Sequence, residues 1–128
     1  MELDLKEVLK KISIDIRKAM IKVFNGEDDV EGECEQASII LWKYINDTGL
    51  VSSDKNKVAL GTFNNHGHYW NIVDDIFVDI TIDQFGEYKY GVIESNVIKE
   101  KYVIKKYVDY TEEISLLEAS DEFLKHVY

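Results

Sequence analysis

Proline is absent from this chain, cysteine occurs once, and 15 lysine and arginine residues face 25 aspartate and glutamate residues. Each shortage excludes something. The lone cysteine, Cys34, cannot close an internal disulfide, so packing and hydrogen bonding must hold the fold. A formal charge of −10 repels phosphate backbones and anionic bilayers, which argues against nucleic-acid and membrane partners and for a neutral or basic one. No apolar run approaches the ~18 residues of a membrane span. The opening MELDLKEVLKK lacks the basic start, apolar stretch and small-residue cleavage site of a secretory signal, so the expected compartment is cytoplasmic. Without proline, element boundaries lose one of their usual marks.

What is present suits one packed globule. Of the 128 residues, 45% are hydrophobic and 12% aromatic, enough for one core, and residues 1–128 read as a single domain without linker, repeat or low-complexity stretch. From residue 3 to 24, Leu5, Val8, Leu9, Ile12, Ile16, Ala19, Met20, Val23 and Phe24 recur at steps of three and four, which predicts an amphipathic helix ending near Asn25-Gly26. A second helix is predicted from about Glu33, with Ala37, Ile40, Leu41, Tyr44 and Ile45 along one side, stopping by Asn46 to Gly49. The period then shortens. Lys57–Phe63, His68–Val73 and Ile76–Ile82 read as strands, with a tight hairpin at Asp74-Asp75. Residues 97–110 read as one or two more strands with a basic solvent face, and Thr111 to Tyr128 as helical with a break near Ser120-Asp121.

The hairpin has a chemical consequence. A turn centred between Asp74 and Asp75 sets His68 opposite Thr81 and puts Asp79 diagonal to it on the same face of the ribbon. A carboxylate so placed orients an imidazole and fixes its tautomer. Cys34, in the first turn of its helix, supplies a nucleophile if that helix end points at the hairpin, because a helix N-terminus or an imidazolium favours the thiolate. Against this stand Glu27, Asp28, Asp29, Glu31, Glu33 and Glu35, whose charge disfavours a thiolate. These acids either point into water and complement the helix dipole, or hold a cation such as calcium. Taken singly, Cys34 reads as a small buried hydrophobe, His68 as a core histidine and Asp79 as a turn cap.

Three motifs in order, Gly32-Glu33-Cys34-Glu35 with Ala37, His68-Tyr69-Trp70-Asn71, and Val78-Asp79-Ile80-Thr81, resemble the transglutaminase-like superfamily of papain-fold cysteine enzymes over roughly residues 30–85. The resemblance implies an α+β fold, with N-terminal helices packed on an antiparallel sheet and the nucleophile at a helix N-terminus. It implies a catalytic Cys34, a base at His68 and an orienting Asp79; His66 is the rival base, but only His68 stands two residues before a tryptophan. Glu33 and Glu35 match the positions of calcium-binding acids in bacterial members of the family. The family's usual V-D-P-T reads VDIT here, and the glutamine that papain-like enzymes carry upstream of the cysteine has no counterpart; upstream, only Asn25 offers an amide. Trp70, Gln84 and His66 are the expected substrate-side residues, and Tyr88 and Tyr90 are further candidates to line a cleft.

Two functions follow. One is acyl transfer from a peptide or glutamine carboxamide through a thioester on Cys34, as in a cysteine protease, deamidase or transglutaminase, with no required cofactor unless calcium binds. The other is a degenerate acidic module, of inhibitor or immunity type, that meets a basic protein; the charge of −10 and the small size motivate it.

Overall fold

The computed structural model describes residues 4–23 and 32–127. Helix α1, Leu5–Val23, follows the apolar stripe: Leu9, Ile12, Ile16, Ala19 and Met20 are buried along one face. Its expected end at Asn25-Gly26 lies outside the described residues. Helix α2, Cys34–Thr48, ends where Gly49 takes a left-handed conformation (φ 66°) and returns its N–H to the Ile45 carbonyl.

Five strands form one antiparallel sheet: β1 Asn56–Phe63, β2 His66–Val73, β3 Ile76–Asp79, β4 Gly91–Val92 and β5 Tyr102–Val108, in the spatial order β4-β3-β2-β1-β5. Two hairpin turns organise its centre. Asn64-Asn65 joins β1 to β2 and Asp74-Asp75 joins β2 to β3, and all four residues have positive φ, the requirement of a type I′ turn. The second turn sets Asn71 against Val78, Ile72 against Phe77 and Val73 against Ile76, the register expected from a turn centred on the two aspartates.

One face of the sheet packs on the helices: Val73, Val78 and Ile80 meet Leu9, Ile16, Met20, Ile40, Leu41 and Ile45. The other is aromatic. Phe63, Trp70, Ile72 and Tyr102 form its buried floor, with Phe77, Phe85, Tyr88 and Tyr90 packed against them. Strand alternation places His68 with Trp70 and Asp79 with Phe77 on this second face.

Besides β2, which starts at His66 and not at His68, three boundaries depart from the sequence reading. The strand expected over Ile76–Ile82 stops at Asp79, and a 3-10 turn, Ile82–Phe85, follows. Side chains have taken the ladder's partners: Thr81 N–H donates to Asp79 Oδ1 at 3.2 Å, and Arg17 Nη1 donates to the Ile80 carbonyl at 2.9 Å. Within 97–110, residues Asn96–Lys99 form a one-turn helix, α3, whose Ile98 N–H is accepted by the Ser95 hydroxyl, and only β5 is extended. Helix α4, Ile114–Leu124, runs unbroken through Ser120, whose hydroxyl donates to the Leu116 carbonyl and accepts from Gln36 Nε2. Gln36 and the ion pair of Lys43 with Asp121 tie α4 to α2. Among the described residues no helix is long and apolar enough to cross a membrane.

Candidate functional site

The end of β3 is where chemistry-bearing side chains gather. His68 Nε2 and Asp79 Oδ2 are 2.7 Å apart, and the two side chains are 0% and 1% exposed. Asp79 accepts twice more: Tyr102 Oη donates to Oδ2 at 2.7 Å, and the Thr81 N–H reaches Oδ1. A buried carboxylate costs several kcal/mol unless its lone pairs are filled. Here one imidazole, one phenol and one amide fill them.

With Nε2 given to Asp79, Nδ1 is the nitrogen left to face other groups. Gln84 Nε2 stands 3.5 Å from Nδ1 and donates to Thr81 Oγ1 at 3.2 Å. Cys34, the first residue of α2 and only partly buried, lies close enough to act on the ring through hydrogen bonding and charge. Burial of the ring opposes its charged form, but hydrogen bonds to Asp79 and Cys34, with their charges, outweigh it and push the His68 pKa from 6.5 up to about 9. The contacts thus favour the protonated ring.

The walls are aromatic. Trp70 lies nearly parallel to the His68 ring at 6.0 Å, and Phe85 meets that ring edge-on at 4.8 Å. Trp70 has no exposed surface, so it floors the imidazole and presents nothing to a ligand. His66 is exposed at the start of β2 and stacks on the outer side of Phe85 at 5.7 Å, too far along the strand to share the position of His68. Tyr88 meets Phe63 edge-on at 5.3 Å, and Tyr90 carries the Arg17 guanidinium over its ring at 4.6 Å.

Glu35 is already occupied. Tyr110 Oη donates to Glu35 Oε2 at 2.8 Å, and burial followed by this bond and the charge of Glu35 holds the Tyr110 hydroxyl protonated well beyond its ordinary range. Burial, and then the charge of Glu35, also raises the Tyr69 pKa. Glu33 precedes α2 and makes no side-chain cap bond. Among the described residues no three of His, Cys, Asp and Glu stand together as a metal site, and Glu27, Asp28, Asp29 and Glu31 lie outside those residues. The described donors do not assemble the six to eight oxygens calcium takes.

The segment carrying Thr81, Gln84 and Phe85 is anchored from outside the site. Arg17, 3% exposed at its side chain, forms a two-pronged pair with Asp83 at 2.9 and 2.7 Å besides its bond to the Ile80 carbonyl. Arg17 and Tyr102 carry no sequence signal for these roles; Arg17 sits in an apolar helical stripe and Tyr102 in a strand, and each meets its partner only through the tertiary fold. The chain matches no protein-family model, no curated protein and no solved structure.

Proposed function

We propose that the chain is a thiol enzyme with a transglutaminase-like, papain-like core that transfers acyl groups from a peptide or glutamine carboxamide. The observation that carries this reading is the fully buried His68–Asp79 pair, which leaves the second ring nitrogen of His68 unbound by the carboxylate and the ring under the influence of Cys34 at the start of α2. In this reading Cys34 Sγ, as thiolate, attacks the carbonyl carbon, and the C–O π electrons move onto oxygen. The Cys34 N–H, in the first helical turn where no intrahelical acceptor exists, and Gln84 Nε2 are the proposed donors to that oxyanion. Collapse of the tetrahedral adduct breaks the C–N bond, and His68 Nδ1–H gives its proton to the leaving amine or ammonia. Water, deprotonated by His68, then cleaves the thioester to a carboxylic acid. An amine in place of water would give transamidation; hydrolysis is the proposed outcome because it needs no second binding pocket.

The test is Cys34 alkylation by iodoacetamide against pH, with and without calcium, in wild type and His68→Ala. Fast reaction well below the free-thiol value of ~8.5, lost in His68→Ala, supports the reading. Slow reaction indifferent to His68 refutes it, and a rate that calcium alters would bring Glu33 and Glu35 into the site. The absence of exposed surface on His68 favours a second reading, the acidic module bound to a basic protein. Salt-sensitive binding to a cationic protein, unchanged in Cys34→Ser, would support that alternative.

A further inference from the structure

The hydroxyl of Tyr102 has no counterpart in a three-residue cysteine, histidine and aspartate site, yet it makes one of the shortest buried polar contacts of the molecule, 2.7 Å to Asp79 Oδ2. Oδ2 is also the acceptor of His68 Nε2. Two donors thus compete for one oxygen, while the Thr81 N–H holds the other. Tyr102 is 8% exposed and boxed in by Phe63 at 4.8 Å, Trp70 at 4.7 Å and Phe77 at 5.3 Å. Those contacts leave the phenol little freedom to point elsewhere. A phenylalanine would fill the same space, so packing alone does not call for the oxygen.

We propose that Tyr102 is a positioning residue of this site, whose hydroxyl fixes the Asp79 carboxylate on Oδ2 and draws off part of the charge that would otherwise act on the His68 imidazole. The inference deepens the proposed thiol chemistry and rests on it for any effect on rate, but the bond network stands without it. A hydrogen bond from a phenol stabilises the carboxylate and weakens it as an acceptor for the imidazole. Tyr102 therefore moderates the pairing of His68 and Asp79, so that His68 can release its proton to a leaving group during turnover.

The titratable groups facing the pair are Cys34 from α2 and, across Tyr102, Tyr88 from the loop before β4. Burial, followed by the charge of Asp79 and the hydrogen bond to it, keeps the Tyr102 phenol protonated far above its ordinary range. It remains a donor throughout the range in which His68 titrates.

The experiment is an NMR titration of the His68 ring in the full chain for wild type, Tyr102→Phe, Asp79→Asn and the double variant, with His66→Gln used for assignment. Tyr102→Phe is expected to raise the His68 pKa by roughly 0.5 to 1 unit and to move the Nε2–H proton downfield as its bond to Oδ2 strengthens. In the Asp79→Asn background the same substitution is expected to have less than a third of that effect. An unmoved or lowered His68 pKa in Tyr102→Phe, or an equal shift without the carboxylate, overturns the proposal. If Asp79→Asn does not fold, the Nε2–H resonance of Tyr102→Phe decides alone. Slow alkylation of Cys34 together with the expected His68 shift would refute the enzyme reading while leaving the role of Tyr102 intact.

Discussion

The His68–Asp79 pair ties stability to pH in a range where few other groups titrate. His68 rises from 6.5 in the unfolded chain to about 9 in the folded one, and its ring has no exposed surface to soften the effect. Between those values the folded state holds a proton that the unfolded state has released, so stability falls as pH rises. The contribution is fully present below 6.5 and is lost as pH passes through about 9. At about 1.4 kcal/mol per pH unit, the rise is worth about 3 kcal/mol. Urea unfolding at pH 6.0 and 9.5, with a slope of about 1 to 3 kcal/mol per molar, should show the midpoint dropping by about 1 to 3 M. Asp79→Asn removes the first of the two groups that offset burial and leaves only Cys34 on that side, so the loss between the two pH values should shrink clearly. A wild-type midpoint that is flat from pH 6.5 to 9, or that declines equally in Asp79→Asn, would refute the reasoning.

Four other substitutions probe the frame around the site. Arg17→Met leaves Asp83 and the Ile80 carbonyl without the guanidinium they share; with Asp83 30% exposed at its side chain, the cost should be roughly 2 to 4 kcal/mol, read by thermal unfolding. Trp70→Phe should cost under about 2 kcal/mol despite complete burial, because the indole N–H makes no hydrogen bond that could be lost; a larger loss of denaturation free energy would contradict this. Gly61→Ala would push a Cβ to 1.8 Å from the Val103 carbonyl oxygen, where β1 and β5 shift register, so hydrogen exchange in β5 should accelerate and stability fall by about 1 to 3 kcal/mol. Asp75→Gly relieves a left-handed aspartate with φ 65° and should stabilise the chain by up to about 1 kcal/mol, measured as a raised urea midpoint.

How much of this was legible in the sequence depended on the range of the physics involved. The α1 stripe, the Gly49 stop and the Asp74-Asp75 register are local, set by side-chain periodicity and by turns, and each is found in the structure. The proximity of His68 to Asp79 belongs to this class, because a two-residue turn fixes which strand positions are diagonal neighbours. The early end of β3 does not. Ile80, Thr81 and Ile82 have strand-like composition, and the chain leaves the sheet because Asp79 bends back to the Thr81 N–H while Arg17, 63 residues upstream, takes the Ile80 carbonyl. A propensity argument sees neither bond.

The same division separates the groups around the imidazole. Gln84 lies near its Nδ1 only because the strand breaks after Asp79 and a 3-10 turn follows. Had β3 continued to Ile82, alternation would have turned residues 81 and 83 to the aromatic face and carried residue 84 further along the strand, away from the ring. The Arg17–Asp83 pair therefore does more than stabilise: by holding the break, it decides which side chain stands beside Nδ1. Arg17→Met should for this reason change the pH dependence of Cys34 alkylation as well as the melting temperature, whereas a substitution of equal thermal cost in β5 should change the melting temperature alone.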